Sequence, residues 1–176
     1  ELSGDLCLLS GRMTVTGLVE GRGKTAKGTG ATIRAQRILI GRKARLESDA
    51  RGFPGGSGPG IGSKGKPSHG GMVSGSDGPT YGDPRQPVTL GSGGTNNARF
   101  GSLNGGGAIK LEAAGSVDLN GTISVNGRST GPKHRKIGGA GGSIWIVCDR
   151  FLGRGLLRAD GGTADNPGGG GRIAVR

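Results

Sequence analysis

Short runs of alternating apolar and polar residues recur along this chain, and they predict strands. Gly107-Ala-Ile-Lys-Leu-Glu-Ala113 is followed by Val117-Asp-Leu-Asn-Gly-Thr-Ile-Ser-Val-Asn-Gly127. Gly142-Ser-Ile-Trp-Ile-Val-Cys148 is followed by Phe151-Leu-Gly-Arg-Gly-Leu-Leu-Arg-Ala-Asp-Gly161, and Gly171-Arg-Ile-Ala-Val-Arg176 opens the pattern again. Alternation with period two marks a strand with one buried face, and recurrence every few tens of residues marks stacked repeats. Earlier in the chain, Leu6–Leu9 with Met13–Val19 reads as a first strand pair. Ala31–Ala35, Ile38–Ile40 and Ala44–Asp49 read as a second unit.

Aligning the copies places Ile33, Leu111 and Ile146 in one column, and Ala35, Ala113 and Cys148 in another. Met13, Ile38, Val117 and Phe151 form a third; Val15, Ile40, Leu119 and Gly153 a fourth; Leu46, Ile123 and Leu157 a fifth. The alignment of Leu6–Leu9 is ambiguous by one residue, which would reverse its faces. The expected fold is all-β: a short parallel β-helix or solenoid-like repeat with a long glycine-rich insert. Its predicted core is Ile33, Ile38, Leu111, Val117, Ile123, Ile146, Phe151 and Leu157. One domain spans 1–176, with first coils in 1–52, a Gly/Pro-rich insert in 53–107 and later coils in 108–176. About four coils at 4.7–4.9 Å per step span only about 15–20 Å. An end must then be covered by more protein, by another subunit or by the insert. The chain reads as a slice of a larger protein.

Composition sharpens this picture. Hydrophobic residues make 31% of the chain and aromatics 3%, while glycine and proline number 43 and 8 among 176 residues, so the core must be thin and built from small side chains. An insert of this length without strand periodicity is either disordered or functional. Isolated Phe53, Ile61, Met72, Tyr81, Val88, Leu90, Phe100 and Leu103 are anchors that predict an ordered, extended coil laid against the strands.

The net charge of +12 raises the question of a polyanionic partner. The excess is even: ten Lys/Arg against five acids in 1–52, four against two in 53–107, and ten against five in 108–176. It reads as a solvated surface, with acidic polysaccharide a candidate partner. Lys133, Arg135 and Lys136 form the one local cluster and, with Trp145, are candidate ligand or subunit contacts. Few aromatics argue against a nucleic-acid stacking platform. No membrane insertion, cofactor or metal is expected.

A glycine-rich order of landmarks runs through the chain. It begins Gly52-Phe-Pro-Gly, His69-Gly-Gly, Tyr81-Gly-Asp, Leu90-Gly-Ser-Gly-Gly and Gly105-Gly-Gly-Ala-Ile-Lys-Leu. It continues through Asn120-Gly-Thr-Ile-Ser-Val-Asn-Gly, Gly138-Gly-Ala-Gly-Gly-Ser-Ile-Trp-Ile, Ala159-Asp-Gly-Gly and Gly168-Gly-Gly-Gly-Arg-Ile-Ala-Val. Over roughly 29–176 this resembles a glycine-rich repeat module of very large secreted and cell-surface proteins. The resemblance implies an extracellular, β-rich structural module and supplies no catalytic residues.

Candidate chemistry is sparse. Gly23-Lys-Thr25 lacks the earlier glycine of a phosphate-binding loop, since Leu18 stands there, and no nucleotide site is expected. Asp49, Asn126 and Asp160 align at successive turns. Acids so placed do acid/base or calcium-assisted chemistry on polysaccharides in some β-helices. As residues that tolerate left-handed geometry they are read first as turn formers. His69 and His134 lie in Gly/Pro loops without ligand-spaced partners and are read as solvated. Trp145 should point outward with Thr32 and Lys110, either free to stack on a sugar or subunit or packed under the insert. Asn120-Gly-Thr122 is a glycosylation sequon. Cys7 and Cys148 would pair if their coils were neighbours, although two small buried hydrophobes are favoured. The function expected is a non-enzymatic extracellular fibre, sheath or adhesive stalk segment that self-associates or meets neighbouring domains of a large protein. The alternative is a carbohydrate-binding or carbohydrate-cleaving β-helix.

Overall fold

In the computed structural model, residues 4–94, 103–130 and 137–176 are described. The predicted alternation becomes burial. β4 (Ala31–Ala35) and β6 (Ala108–Ala113) turn Ile33 and Leu111 inward, and β9 (Ser143–Val147) does the same with Ile144 and Ile146. These strands pair in parallel, joined by β12 (Arg172–Val175), in a four-stranded sheet ordered β12-β9-β6-β4. Ile33, Leu111, Ile146 and Val175 hold matching register positions.

The six-stranded sheet is centred on β5 (Ile38–Glu47), the longest strand. One half of β5 pairs with β7 (Ser116–Leu119) and the other half with β8 (Thr122–Ser124). β7 then pairs with β10 (Arg150–Leu152), and β8 with β11 (Leu156–Arg158). On the far side of β5 lies β1 (Leu6–Thr14). The corner between the half-strands needs glycine. A side chain at Gly121 would meet the carbonyls of Gly41 and Ala44, and Gly153 sits at φ +101°. The third sheet is a two-stranded antiparallel ribbon of β2 (Leu18–Glu20) and β3 (Lys27–Thr29).

Between the two large sheets lies one apolar cluster that includes Ile38, Ile40, Leu46, Leu111, Val117, Leu119, Ile123 and Ile146, all at most 1% exposed. Its partly buried members are Leu6, Leu8, Met13 and Val15 on one side and Cys148, Leu157 and Ala159 on the other. A second, smaller cluster joins Ala26, Phe53, Leu90 and Ala108 under the insert.

Three expectations are corrected. The parallel β-helix or solenoid-like fold is not what forms: the strands belong to three separate sheets, one of them antiparallel, with no closed solenoid. The chain between sheets runs as extended glycine backbone that bonds to other glycine backbone and to the insert instead of continuing as strand. Next, β1 is a single nine-residue strand rather than a pair. Leu6 and Leu8, not Met13 and Val15, stand beside Ile38 and Ile40, while Met13 stands beside Leu46, with a register shift between Leu8 and Ser10. Finally, Phe151 is 41% exposed and Leu157 only partly buried, because β10 and β11 carry no strand on their outer side among the described residues.

Candidate functional site

The turn residues Asp49, Asn126 and Asp160 do come together, as a ladder. The Asn126 backbone N–H donates to Asp49 Oδ1 at 2.7 Å, and the Asp160 backbone N–H donates to Asn126 Oδ1 at 2.9 Å. Backbone bonds run alongside, from Ala50 N to Asn126 O and from Gly127 N to Asp160 O. Each acceptor side chain thus satisfies a backbone donor one strand-layer away, as turn positions require. Arg45 Nη2 donates to Asp49 Oδ2 at 2.6 Å, and Arg158 Nη2 meets Asp160 Oδ2 at 2.6 Å. The carboxylates are therefore engaged by guanidinium and backbone groups.

A second polar constellation lies within the insert, where the sequence reads Tyr81 as an anchor and His69 as solvated. His69 is fully buried. Its Nδ1 is 2.7 Å from the Gly141 carbonyl oxygen, which can only accept, so Nδ1 carries the proton. Nε2 accordingly accepts from the Thr89 hydroxyl at 2.8 Å. The Thr89 carbonyl accepts from Ser143 Oγ at 2.6 Å, closing a path from the insert into β9. The Tyr81 ring packs on His69 with centroids 4.8 Å apart. Tyr81 Oη donates to the Leu90 carbonyl at 2.5 Å and takes a bond from Ser92 Oγ at 2.9 Å. Ser92 Oγ also accepts from Gly60 N–H, and the Tyr81 carbonyl accepts from Arg172 Nε on β12.

Burial pushes the His69 pKa down to about 4, with the Arg172 charge acting in the same direction and the Gly141 carbonyl opposing it. Burial pushes the Tyr81 phenol up. A neutral imidazole beside a hydroxyl is the raw material of general-base chemistry. Here, however, the imidazole has no solvent exposure, and Gly82 lies so close to Thr89 that a side chain there would strike its hydroxyl. The network pins the insert to β9 and β12. The earlier reading of His69 as solvated is corrected. Its signal in the sequence is His69-Gly-Gly: a side chain at Gly70 would strike the Gly171 carbonyl, so glycine lets the insert lie directly against the segment that enters β12.

Trp145 occupies the register column of Thr32, Lys110 and Ala174. Lys110 Nζ stands over its ring, 3.9 Å from the centroid, and also pairs with Glu112, which Arg34 contacts from the next strand. Lys110 first, then Arg34, holds the Glu112 carboxyl below its usual range. Asn120 is half-buried, its Nδ2 bonded to Asp118 Oδ1 at 2.7 Å. Lys133, His134, Arg135 and Lys136, like Phe100, lie outside the described residues.

Cys7 and Cys148 are both free thiols. The bridge weighed between them is absent because Cys7 faces outward beside Leu39 in the six-stranded sheet, whereas Cys148 follows β9 of the other sheet and packs partly on the core. Cys7 is exposed, which also departs from the buried reading.

A surface groove of about 300 Å³ is lined by Asp5, Cys7, Arg37, Leu39 and Asp118 among others. Asp5 and Arg37 pair across it at 2.7 Å. Among the described residues, no group of three or more His, Cys, Asp or Glu is placed to hold a metal, and no helix is long and apolar enough to cross a membrane. No protein-family model, curated protein or solved structure matches this chain.

Proposed function

We propose that this chain is a structural segment of an extracellular or cell-surface protein, one that forms or decorates a fibre, sheath or adhesive stalk. The observation that carries the reading is the Asp49–Asn126–Asp160 ladder. The Asp49 carboxylate and the Asn126 amide hold one layer of strands to the next, while the Asp160 carboxylate is paired with Arg158 two residues before it. The buried His69–Tyr81–Thr89–Ser92 network does the same for the insert. Polar groups that lock backbone to backbone resist deformation, which is the property a load-bearing or spacing element needs. The carbohydrate reading has weaker support, since Lys110 already covers one face of the Trp145 ring.

Three variants separate these readings. Removing the shared rung with Asn126→Ala should lower unfolding stability by about 1–2 kcal/mol, because the Asp160 N–H loses its acceptor. Asp160→Ala and Trp145→Ala should leave retention on acidic polysaccharide, and any release of reducing ends from it, unchanged. Loss of either property in these variants would favour the carbohydrate alternative. Electron microscopy of native material tests the larger claim, with fibres or an ordered surface layer as the expected result.

A further inference from the structure

The corner between the two halves of the six-stranded sheet is built with extra residues. Ile40 stands beside Leu119 and Arg45 beside Thr122, so β5 has four residues at the corner where the next layer has two, Asn120 and Gly121. Asn120 N and Gly121 N both donate to the Ile40 carbonyl, and the Gly41 and Ala44 carbonyls flank Gly121. The residues between them, Arg42 and Lys43, therefore arch out of the ladder, and both are exposed. One layer further on, Gly153 and Gly155 lie against the carbonyls of Leu119 and Gly121, which sets the exposed Arg154 opposite Asn120. Bulges bend a strand and re-aim its side chains. This one sends two cations outward on the same corner as a third.

The cations around the corner are spoken for, and these three are not. Arg12 and Arg45 meet Glu47, Arg45 also meets Asp49, and Arg158 meets Asp160. Among the described residues, Arg42, Lys43 and Arg154 have no carboxylate in ion-pair reach. Asp118, two positions before the corner, is held by Asn120 Nδ2 at 2.7 Å. Cations gathered without counter-charges raise the local potential and draw anions.

From this we infer that the corner is a docking ridge for a linear acidic polysaccharide, a polyuronate whose carboxylates meet Arg42, Lys43 and Arg154. Layers of a sheet are about 4.8 Å apart, so Arg154 lies about 9–10 Å along the stack from Arg42 and Lys43. That is the length of a pair of sugar rings. A polymer with one carboxylate per ring, laid along the stack, reaches both cationic layers without bending, and guanidinium groups suit carboxylates through paired N–H donors. The ridge runs along the side of the stack and stays open whichever strands lie above or below it. The inference rests on the structural reading above and names what such a segment holds.

The test compares two variants of equal charge, because the whole chain is basic. One combines Arg42→Gln, Lys43→Gln and Arg154→Gln; the other combines Lys24→Gln, Lys64→Gln and Arg85→Gln, exposed cations away from the corner. Both are made without glycosylation, since the Asn120 sequon lies between the two cationic layers. Urea unfolding checks that each variant is folded. Binding is measured by affinity electrophoresis in polygalacturonate, dextran sulfate and neutral dextran. The expected result is that the corner variant binds polygalacturonate about tenfold more weakly, as the loss of three exposed ion pairs implies. The second variant should match the wild type, and raised salt should erase the difference. Equal losses in the two variants would reduce the effect to net charge and overturn the inference. So would absence of wild-type binding, or binding of dextran sulfate but not polygalacturonate. Tighter binding to duplex DNA, lost in the same corner variant, would make the ridge a nucleic-acid contact and overturn it too. The two levels fail separately. Fibres in native material with no polyuronate binding would leave the structural reading standing without this ridge, whereas release of reducing ends from polygalacturonate by the wild type would sink the structural reading even with the ridge intact.

Discussion

Gly142→Ala is expected to cost more than about 4 kcal/mol of unfolding stability, enough to threaten the native state of a chain with a thin core. The reason is approach distance, not backbone conformation. A methyl group at Gly142 would be driven into the carbonyl of Gly107 and the backbone of Gly106. Those atoms cannot move away cheaply. Gly106 N donates to Ala140 O, Gly107 N donates to Ser48 O, and the Gly107 carbonyl accepts from Ser143 N. Gly142 itself is tied to Val125 O through its N–H and to Arg172 N through its carbonyl. Relief of the clash would break several buried backbone bonds together. Gly170→Ala is the control: it is exposed with nothing within 4 Å of the added carbon, and it should change stability by no more than about 0.5 kcal/mol. Urea unfolding of both variants measures the contrast. Equal, small losses would mean that the glycine seams yield easily.

Acid should weaken the protein well before its carboxylates titrate, through His69. The folded pKa of about 4 lies below the ordinary imidazole value of 6.5, so the unfolded chain binds the extra proton between them. Stability from this group is complete above about pH 6.5, is lost as pH falls, and levels off below about pH 4, for a total of about 3 kcal/mol. The carboxylates act lower. Asp5, held down chiefly by its hydrogen bond to Arg37, and Glu112, held down chiefly by Lys110, contribute stability that disappears only as pH falls below the normal carboxylate range. A plot of urea midpoint against pH should therefore decline through the histidine window. In His69→Gln, which removes the titrating ring, that decline should be absent even if overall stability is lower. A flat wild-type profile between pH 6.5 and 4 would show that the ring is reached by water or is already charged.

Much of the strand content could be read from alternation alone, because a half-buried strand needs a side chain on one face at every second position. Ile33, Leu111 and Ile146 satisfy that need in three strands whose register matches the alignment. Alternation could not say where the sheets end. Phe151 has the periodicity of a core residue and is exposed because, among the described residues, β10 is an edge. It also could not fix β1, whose Gly11 at φ +80° and register shift after Leu8 slide Met13 to another column. Closure was misjudged for a related reason. Glycine tracts such as Gly138–Gly142 carry no side-chain pattern, so nothing local tells a strand from an extended segment that bonds to other glycines. The polar site was half legible. Equivalent turn positions identified the Asp49–Asn126–Asp160 ladder, but His69 and Tyr81 find their partners through long-range packing of the insert, which no spacing encodes.

The insert lies between β5 and β6, and this sets a timetable for folding. Ile33 is 78 positions from its register partner Leu111, whereas Leu111 is 35 from Ile146. Closing the longer loop costs about 0.7 kcal/mol more in chain entropy, before any ordering of the insert is counted. The later strands, β6 to β11, and separately β1 with β5, whose partners Leu6 and Ile38 are 32 positions apart, are thus favoured to pair first, with the two halves joined across the insert afterwards. A nascent chain that emerges from its N-terminal side can pair β1 with β5 early but must wait for its later half before β4 finds a partner.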